Sequence, residues 1–271
     1  MTILQAMLLG LVQGLTEFLP VSSSGHLVIG EALLGVKSPG IIFEVAVHMA
    51  TAGAVVLAYR RRIGLIIKAF LSLVKTPAAP LDEALRKENL RLGWFVILGT
   101  IPAGIIGVAF KDWFEAAFNS PRMVSWMLIG TGVILMLSRF APKAVKPISW
   151  RRALGVGLAQ AVAILPGISR SGSTISAGLL LGLGPGRSAE FSFLLALPAI
   201  LGAGLIEAAG IFSKPYALEG ISGLALFCGA FTAFVSGFAA IYALLSLLQR
   251  GRFDRFAWYV WAVGAAGLLY F

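Results

Sequence analysis

From Ile221 to Leu248 the chain runs for 28 residues without one charged side chain. A helix rises 1.5 Å per residue, so this run exceeds the roughly 30 Å hydrocarbon thickness of a bilayer. A backbone in hydrocarbon has to satisfy its own N–H and C=O groups, which makes such a run a spanning helix. Five further apolar runs follow: Ile41–Tyr59, Leu92–Phe110, Met123–Phe140, a stretch from about Ala189 to Phe212, and Ala257–Phe271. The sequence therefore predicts an all-α integral membrane protein with six transmembrane helices in a single membrane domain over residues 1–271. The Arg60–Arg91 segment, with Pro77 and Pro80, is read as extending the first span before a polar stretch. Composition agrees, since 58% of residues are hydrophobic and only 13% charged, against about a quarter charged in soluble domains.

Two apolar regions do not fit a span. Met1–Val36 is broken at Pro20-Val21-Ser22-Ser23-Ser24-Gly25, and Ala153–Gly184 is broken across Pro166–Thr174. Each half is too short to cross, which predicts two re-entrant helix-loop-helix hairpins. Irregular backbone at membrane depth is tolerated where it lines a cavity. The two breaks also resemble each other. At a shift of 147, Leu11 meets Leu158, Gln13 meets Gln160, Ser22 meets Ser169, Ser24 meets Ser171 and Gly25 meets Gly172; at 146, Glu44 meets Glu190. A hairpin followed by three spans, repeated, gives an inverted-topology repeat, with repeat 1 over about 1–140 and repeat 2 over about 150–271. Its site is expected where the interrupted segments meet.

The net charge of +10 reads as loop charge of a membrane protein and not as a nucleic-acid surface. Under six spans, 17 of the 22 basic residues fall on one face, and only Lys37, Lys111, Arg122 and Lys214 on the other. The basic face is cytoplasmic by the positive-inside rule, so the first hairpin enters from outside. No basic residue precedes the first apolar stretch, so no cleaved signal peptide is expected. The lone Cys228 excludes a disulfide or a cysteine-built metal site within the chain.

Chemistry concentrates at the breaks. Glu17 ends an apolar half-helix, and a carboxylate at that depth is a functional residue by default. Pro20 stops the half-helix and Ser22 is placed to cap the next. Ser23 and His26 are three apart and share a face, the pattern of a nucleophile with its base. Ser and Gly also pack membrane helices closely, but Glu17 and His26 are not packing residues. In the second break Arg170 is the only basic residue outside the loops. Its fork suits phosphate oxygens, and a structural pairing with Glu17 or Glu190 is the alternative. Ser169, Ser171, Ser173 and Thr174 add hydroxyls at a second helix start, where anions bind. His48, alone in a span, reads as structural. Together these residues suit a phosphorylated group whose remainder lies in lipid, and Glu17 with phosphate oxygens could hold Mg²⁺ or Ca²⁺.

At these motifs, Gly14–His26 and Pro166–Thr174, the sequence resembles the undecaprenyl-diphosphate phosphatase family, also called bacitracin-resistance proteins, over essentially the whole chain. The resemblance implies removal of the terminal phosphate from a polyprenyl diphosphate lipid, which recycles the carrier for peptidoglycan synthesis and confers bacitracin resistance. It implies a multi-pass protein of the bacterial inner membrane, a homodimer, a requirement for Mg²⁺ or Ca²⁺, and a cavity opening toward the periplasm. Carried over by position, the catalytic set is Ser23, His26, Glu17 and Arg170, with Glu17 also the metal ligand. Ser22, Ser24, Gln13, Ser169, Ser171, Ser173 and Thr174 are expected to bind substrate. Many family members have a second glutamate where this chain has Gln13, so Glu17 is expected to carry the acidic role alone. The expected mechanism is attack by Ser23 with His26 taking its proton; the variant is His26 as nucleophile or acid. A lipid-phosphate transporter or flippase built on the same cavity is the alternative function, since inverted repeats with broken helices also serve transport. A scaffold without chemistry leaves Glu17 and Arg170 unexplained.

Overall fold

A computed structural model describes residues 1–34, 41–74, 82–118, 120–213 and 222–271. Val36, Lys37, Lys75, Pro77, Pro80, Lys214 and Ile221 of the sequence reading lie outside these residues. The described chain is helical throughout, with no strand among the described residues. The helices are α1 (Ile3–Phe18), α2 (Ser23–Leu34), α3 (Ile41–Ala58), α4 (Arg60–Leu71), α5 (Glu83–Ala109), α6 (Lys111–Phe118), α7 (Pro121–Leu137), α8 (Trp150–Val162), α9 (Arg170–Leu180), α10 (Pro185–Ser213), α11 (Gly223–Gln249) and α12 (Phe256–Tyr270). The protein is an all-α, multi-pass membrane protein. Four helices, α5, α7, α10 and α11, are long and apolar enough to cross a bilayer.

The remaining two expected spans come out differently. α3 has 18 residues and passes the same test only together with α4, across a bend of 82°. The straight extension expected past Arg60 is therefore a sharp elbow: α4 opens on Arg60-Arg61-Arg62 and is amphipathic, so it turns away from the α3 axis. α12 has 15 residues, about 22 Å by helical rise, which is short of a span. A short 3-10 turn, Phe253–Arg255, runs directly into it. α6 stands where the sequence reading had a loop.

Both expected breaks are present but end earlier than expected, since Ser23–Gly25 and Arg170–Thr174 already belong to the helices that follow. α1 and α2 are separated by Leu19–Ser22, and α8 and α9 by Ala163–Ser169. Leu19, before Pro20, is already extended at φ −62, ψ 145, as the proline ring demands of its neighbour. α1 lies against α11 and α8 lies against α5. Both contacts depend on glycine: the backbone of Gly229 fills the place a Cβ on Gly10 would need, and the backbone of Gly99 does so for Gly157. Small residues of this kind are how membrane helices reach close approach. The apolar core around the breaks joins Phe18, Val21, Val55, Ile175, Phe193 and Ile241, with Phe18 and Phe193 in edge-to-face contact at 5.5 Å. Both hairpin tips are thus held inside the helix packing.

Candidate active site

Glu17 sits in the last turn of α1 and is 7% exposed. Its carboxylate is held by three elements. Gln13, one turn earlier, donates through Nε2 to Oε2 at 2.9 Å. The Ser23 hydroxyl, at the first position of α2, donates to Oε2 at 2.5 Å. Arg170 Nη2, at the start of α9, donates to Oε1 at 2.5 Å. The two hairpin tips therefore meet through an ion pair between residues 153 apart in sequence. Of the two alternatives left open for Arg170, the structure makes the pair with Glu17, while Glu190 pairs with Arg62 at 2.9 Å.

The first tip is built on an unusual backbone. Ser22 has φ +70, a left-handed conformation that costs a residue with a Cβ about 1–3 kcal/mol. Local bonds hold it there. Its Oγ accepts from the Gly25 N–H at 3.2 Å, capping α2 as expected, and lies 3.2 Å from Ser24 Oγ. Its carbonyl accepts from the His26 N–H at 3.1 Å. The second tip is fixed by α7: Thr131 Oγ1 donates to the Gly167 carbonyl at 2.8 Å and accepts from the Ser169 N–H at 2.9 Å. Gly167 has φ +95, and the Val124 carbonyl occupies the space of a Cβ there, so only glycine fits. The tips are also tied directly: Ser24 Oγ accepts from the Gly167 N–H at 3.4 Å, and Ser171 Oγ donates to the Leu19 carbonyl at 3.2 Å.

Where they cross lies a cavity of about 160 Å³. Its polar walls are Thr16, Glu17, Ser22, Ser23, Ser24, His48, Ser169 and Arg170, and its apolar walls are Ala163, Ile164 and Ile168. Arg170 Nη1 is buried beside it with no hydrogen-bond partner among the described residues. A buried, unused guanidinium donor is costly, and an anion in the cavity would satisfy it.

Not every expected site residue reaches this cavity. The pairing of Ser23 with His26 is not made. His26 Nδ1 is 2.8 Å from the Ser22 carbonyl, Nε2 is 2.9 Å from the Tyr259 hydroxyl, and the ring stacks on Tyr259. A ring nitrogen facing a carbonyl donates, which makes Nε2 the acceptor. Both nitrogens are therefore engaged away from Ser23, whose hydroxyl goes to Glu17. Gln13, Ser171, Ser173 and Thr174 are buried behind the cavity and do not line it. Gln13 supports Glu17, and Ser171 joins the tips. Thr174 bonds the Arg170 carbonyl at 2.8 Å and lies 2.6 Å from Ser192 Oγ, while Ser173 Oγ has no partner.

His48 moves the other way. Read as structural, it lines the cavity with Nε2 3.9 Å from Glu17 Oε2, and Nδ1 is 2.8 Å from the Glu44 carbonyl. Its signal in the sequence was Glu44 and His48 one turn apart in an otherwise apolar span. Thr131 and Tyr259 gave no sequence signal, because their importance lies in what they meet.

A family model described as bacitracin resistance protein BacA matches residues 6–266. The chain belongs to the BacA family. Its relatives include a protein of Salinibacter ruber named undecaprenyl-diphosphatase, 40% identical over 247 residues and 90% of each chain. One of the same name from Mycolicibacterium smegmatis is 42% identical over 250 residues, 89% of this chain and 86% of the relative. An undecaprenyl-diphosphatase 2 of Stutzerimonas stutzeri is 44% identical over 208 residues, 74% of each chain.

This BacA-family site is poor in metal ligands. Among the described residues no group of three or more His, Cys, Asp or Glu side chains comes together. Glu17 is the one carboxylate in the cavity, and its oxygens already accept from Arg170, Ser23 and Gln13. Hard cations take six or more oxygens, so the residues present do not fit a resident metal ion.

Proposed function

We propose that the chain hydrolyses undecaprenyl diphosphate to undecaprenyl phosphate and inorganic phosphate at the cavity between the hairpin tips. The observation that carries this reading is a serine hydroxyl bonded to a buried carboxylate, whose other oxygen is held by an arginine with one donor still free. Ser23 Oγ attacks the terminal phosphorus, and its proton passes to Glu17 Oε2. The bond from that phosphorus to the bridging oxygen breaks, and undecaprenyl phosphate leaves. Water then attacks the phosphoserine, the Ser23 Oγ–phosphorus bond breaks, and Glu17 returns its proton to Ser23 Oγ as phosphate leaves. Arg170 Nη1 and the first N–H groups of α2 and α9 stabilise the charge on the transferring group. His26 holds the Ser22 turn against Tyr259, which places Ser23. The base role expected of His26 falls to Glu17 in this reading, since Glu17 is the group that Ser23 touches. A carrier needs an anion site but no hydroxyl–carboxylate pair, so this contact and the relatives' names favour hydrolysis over transport.

The dependence on Mg²⁺ or Ca²⁺ is retained as a cation arriving on the substrate, with the diphosphate supplying most of its oxygens. The fold reading is retained too. Six spans need α3, and α12 with its preceding 3-10 turn, to cross a locally thin stretch. An inverted repeat over about 1–140 and about 150–271 is supported by the matched glycine contacts, since Gly10 and Gly157 are themselves 147 apart. The loop charges support a bacterial inner-membrane orientation with the cavity facing the periplasm. A homodimer rests on the family resemblance and is tested by the mass of the purified particle.

The decisive assay is phosphate release from undecaprenyl diphosphate by purified protein, with rapid quenching to trap phosphoserine. Ser23→Ala should lose turnover by roughly 10³-fold or more and trap nothing. Full turnover in Ser23→Ala would remove the nucleophile from this scheme.

A further inference from the structure

A second cavity lies apart from the one between the tips. It lies at the elbow where α3 gives way to α4, has a volume of about 420 Å³, and is lined by Ala58, Tyr59, Arg60, Arg61, Arg62 and Tyr242. Nothing in the proposed hydrolysis uses it. The space gathers three guanidinium groups, with Arg60 and Arg61 exposed, and two phenols, a donor-rich lining that suits an anion.

The three arginines are not equivalent. Arg62 is spoken for: it meets Glu88 at 2.7 Å, Glu190 at 2.9 Å and Asn89 Oδ1 at 3.1 Å. It clamps α4 onto α5 and α10 and so fixes the elbow. Arg60 has only a carbonyl, that of Leu57 at 3.1 Å, and neither Arg60 nor Arg61 has an acidic partner among the described residues. Tyr59 and Tyr242 are held by ring contacts with Phe193 at 5.9 Å and Phe238 at 5.1 Å. α4 also begins without a side-chain cap, which adds the positive end of a helix to the same space.

We propose that this elbow cavity binds the phosphate of an anionic glycerophospholipid. Two guanidinium groups without acidic partners among the described residues, beside two phenols, match the several oxygens of a phosphate. The elbow's flank supplies the rest of a lipid site. Val56 and Leu57, immediately before it, are 44% and 39% exposed and give acyl chains an apolar surface beside the charged space. Basic pockets between membrane helices hold lipid headgroups in this way.

The test counts lipids retained on the detergent-purified protein by native mass spectrometry, with phosphatidylglycerol and phosphatidylcholine as probes and inorganic phosphate as the free-anion arm. Phosphatidylglycerol should be retained in preference to phosphatidylcholine. Arg60→Gln/Arg61→Gln should weaken that retention roughly ten-fold or more, and Arg60→Lys/Arg61→Lys should recover most of it. Phosphate release in lipid-free detergent should be the same in all three proteins, which shows that the variants are folded. Equal retention of the two lipids, or unchanged retention by the Gln variant, overturns the site. Displacement of the lipid by inorganic phosphate at equal concentration overturns its assignment to a lipid.

Discussion

The two hairpin tips are alike in backbone plan and opposite in chemistry. In the first, Gln13, Glu17 and Ser23 fall in line; 147 residues on, the same places hold Gln160, Ile164 and Arg170. One tip supplies an acceptor and a hydroxyl, the other a cation. The amides show the consequence most clearly. Gln13 Nε2 donates to Glu17, whereas both polar atoms of the buried Gln160 have no partner among the described residues, since an isoleucine stands where its carboxylate would be. The comparison teaches that the site is asymmetric by side chain, while the scaffold that carries it is near-symmetric.

The sharpest way to break this comparison is to remove the acceptor. Glu17→Gln should cut phosphate release by roughly 10²–10⁴-fold and leave Arg170 as an uncompensated charge, at a cost of about 3–5 kcal/mol in stability. Thermal unfolding of Glu17→Gln, Arg170→Gln and the double variant measures the pairing. The double variant should lose clearly less than the sum of the singles, and simple additivity would mean that the two tips are not coupled through this pair. Next come the amides, where the signs should differ. Gln13→Leu removes a hydrogen bond to a charged group and should cost about 1.5–3 kcal/mol together with activity. Gln160→Leu removes an unpaired amide and should be neutral or stabilising by up to about 1 kcal/mol. Equal losses at both positions would abolish the asymmetry. The smallest effect is expected where the tips touch through neutral hydroxyls: Ser24→Ala and Ser171→Ala should each cost about 1 kcal/mol and lower turnover only a few-fold, read from the same melts and assays.

Much of this was legible in the sequence because it is local. Pro20 stops α1, Ser22 caps the helix that follows, and the lone ionisable groups Glu17 and Arg170 announce themselves by depth. What sequence could not give is which neighbour a side chain meets. His26 and His48 illustrate it. Each bonds the carbonyl four residues earlier, that of Ser22 just before α2 and that of Glu44 within α3, a feature helical spacing allows. The second ring nitrogen is settled by packing: Tyr259 of α12 takes that of His26, and Glu17 of α1 faces that of His48. Both assignments run across the fold, so helical spacing did not show that His48, read as structural, faces the cavity, or that His26, expected as a base, bonds Tyr259. The elbow at Tyr59 was hidden for a related reason. An arginine run after an apolar stretch marks a membrane boundary, but not the angle at which the chain leaves it.

The pairing of Glu17 with Arg170 sets an order on biosynthesis. The carboxylate is made before its cation, which follows 153 residues later, an interval of roughly 10–30 s at ordinary translation speed. Until then the first hairpin has no counter-charge, and Ser24 and Leu19 lack the second tip that they grip. A chain cut short before Arg170 therefore holds a membrane carboxylate without the counter-charge that the full fold supplies.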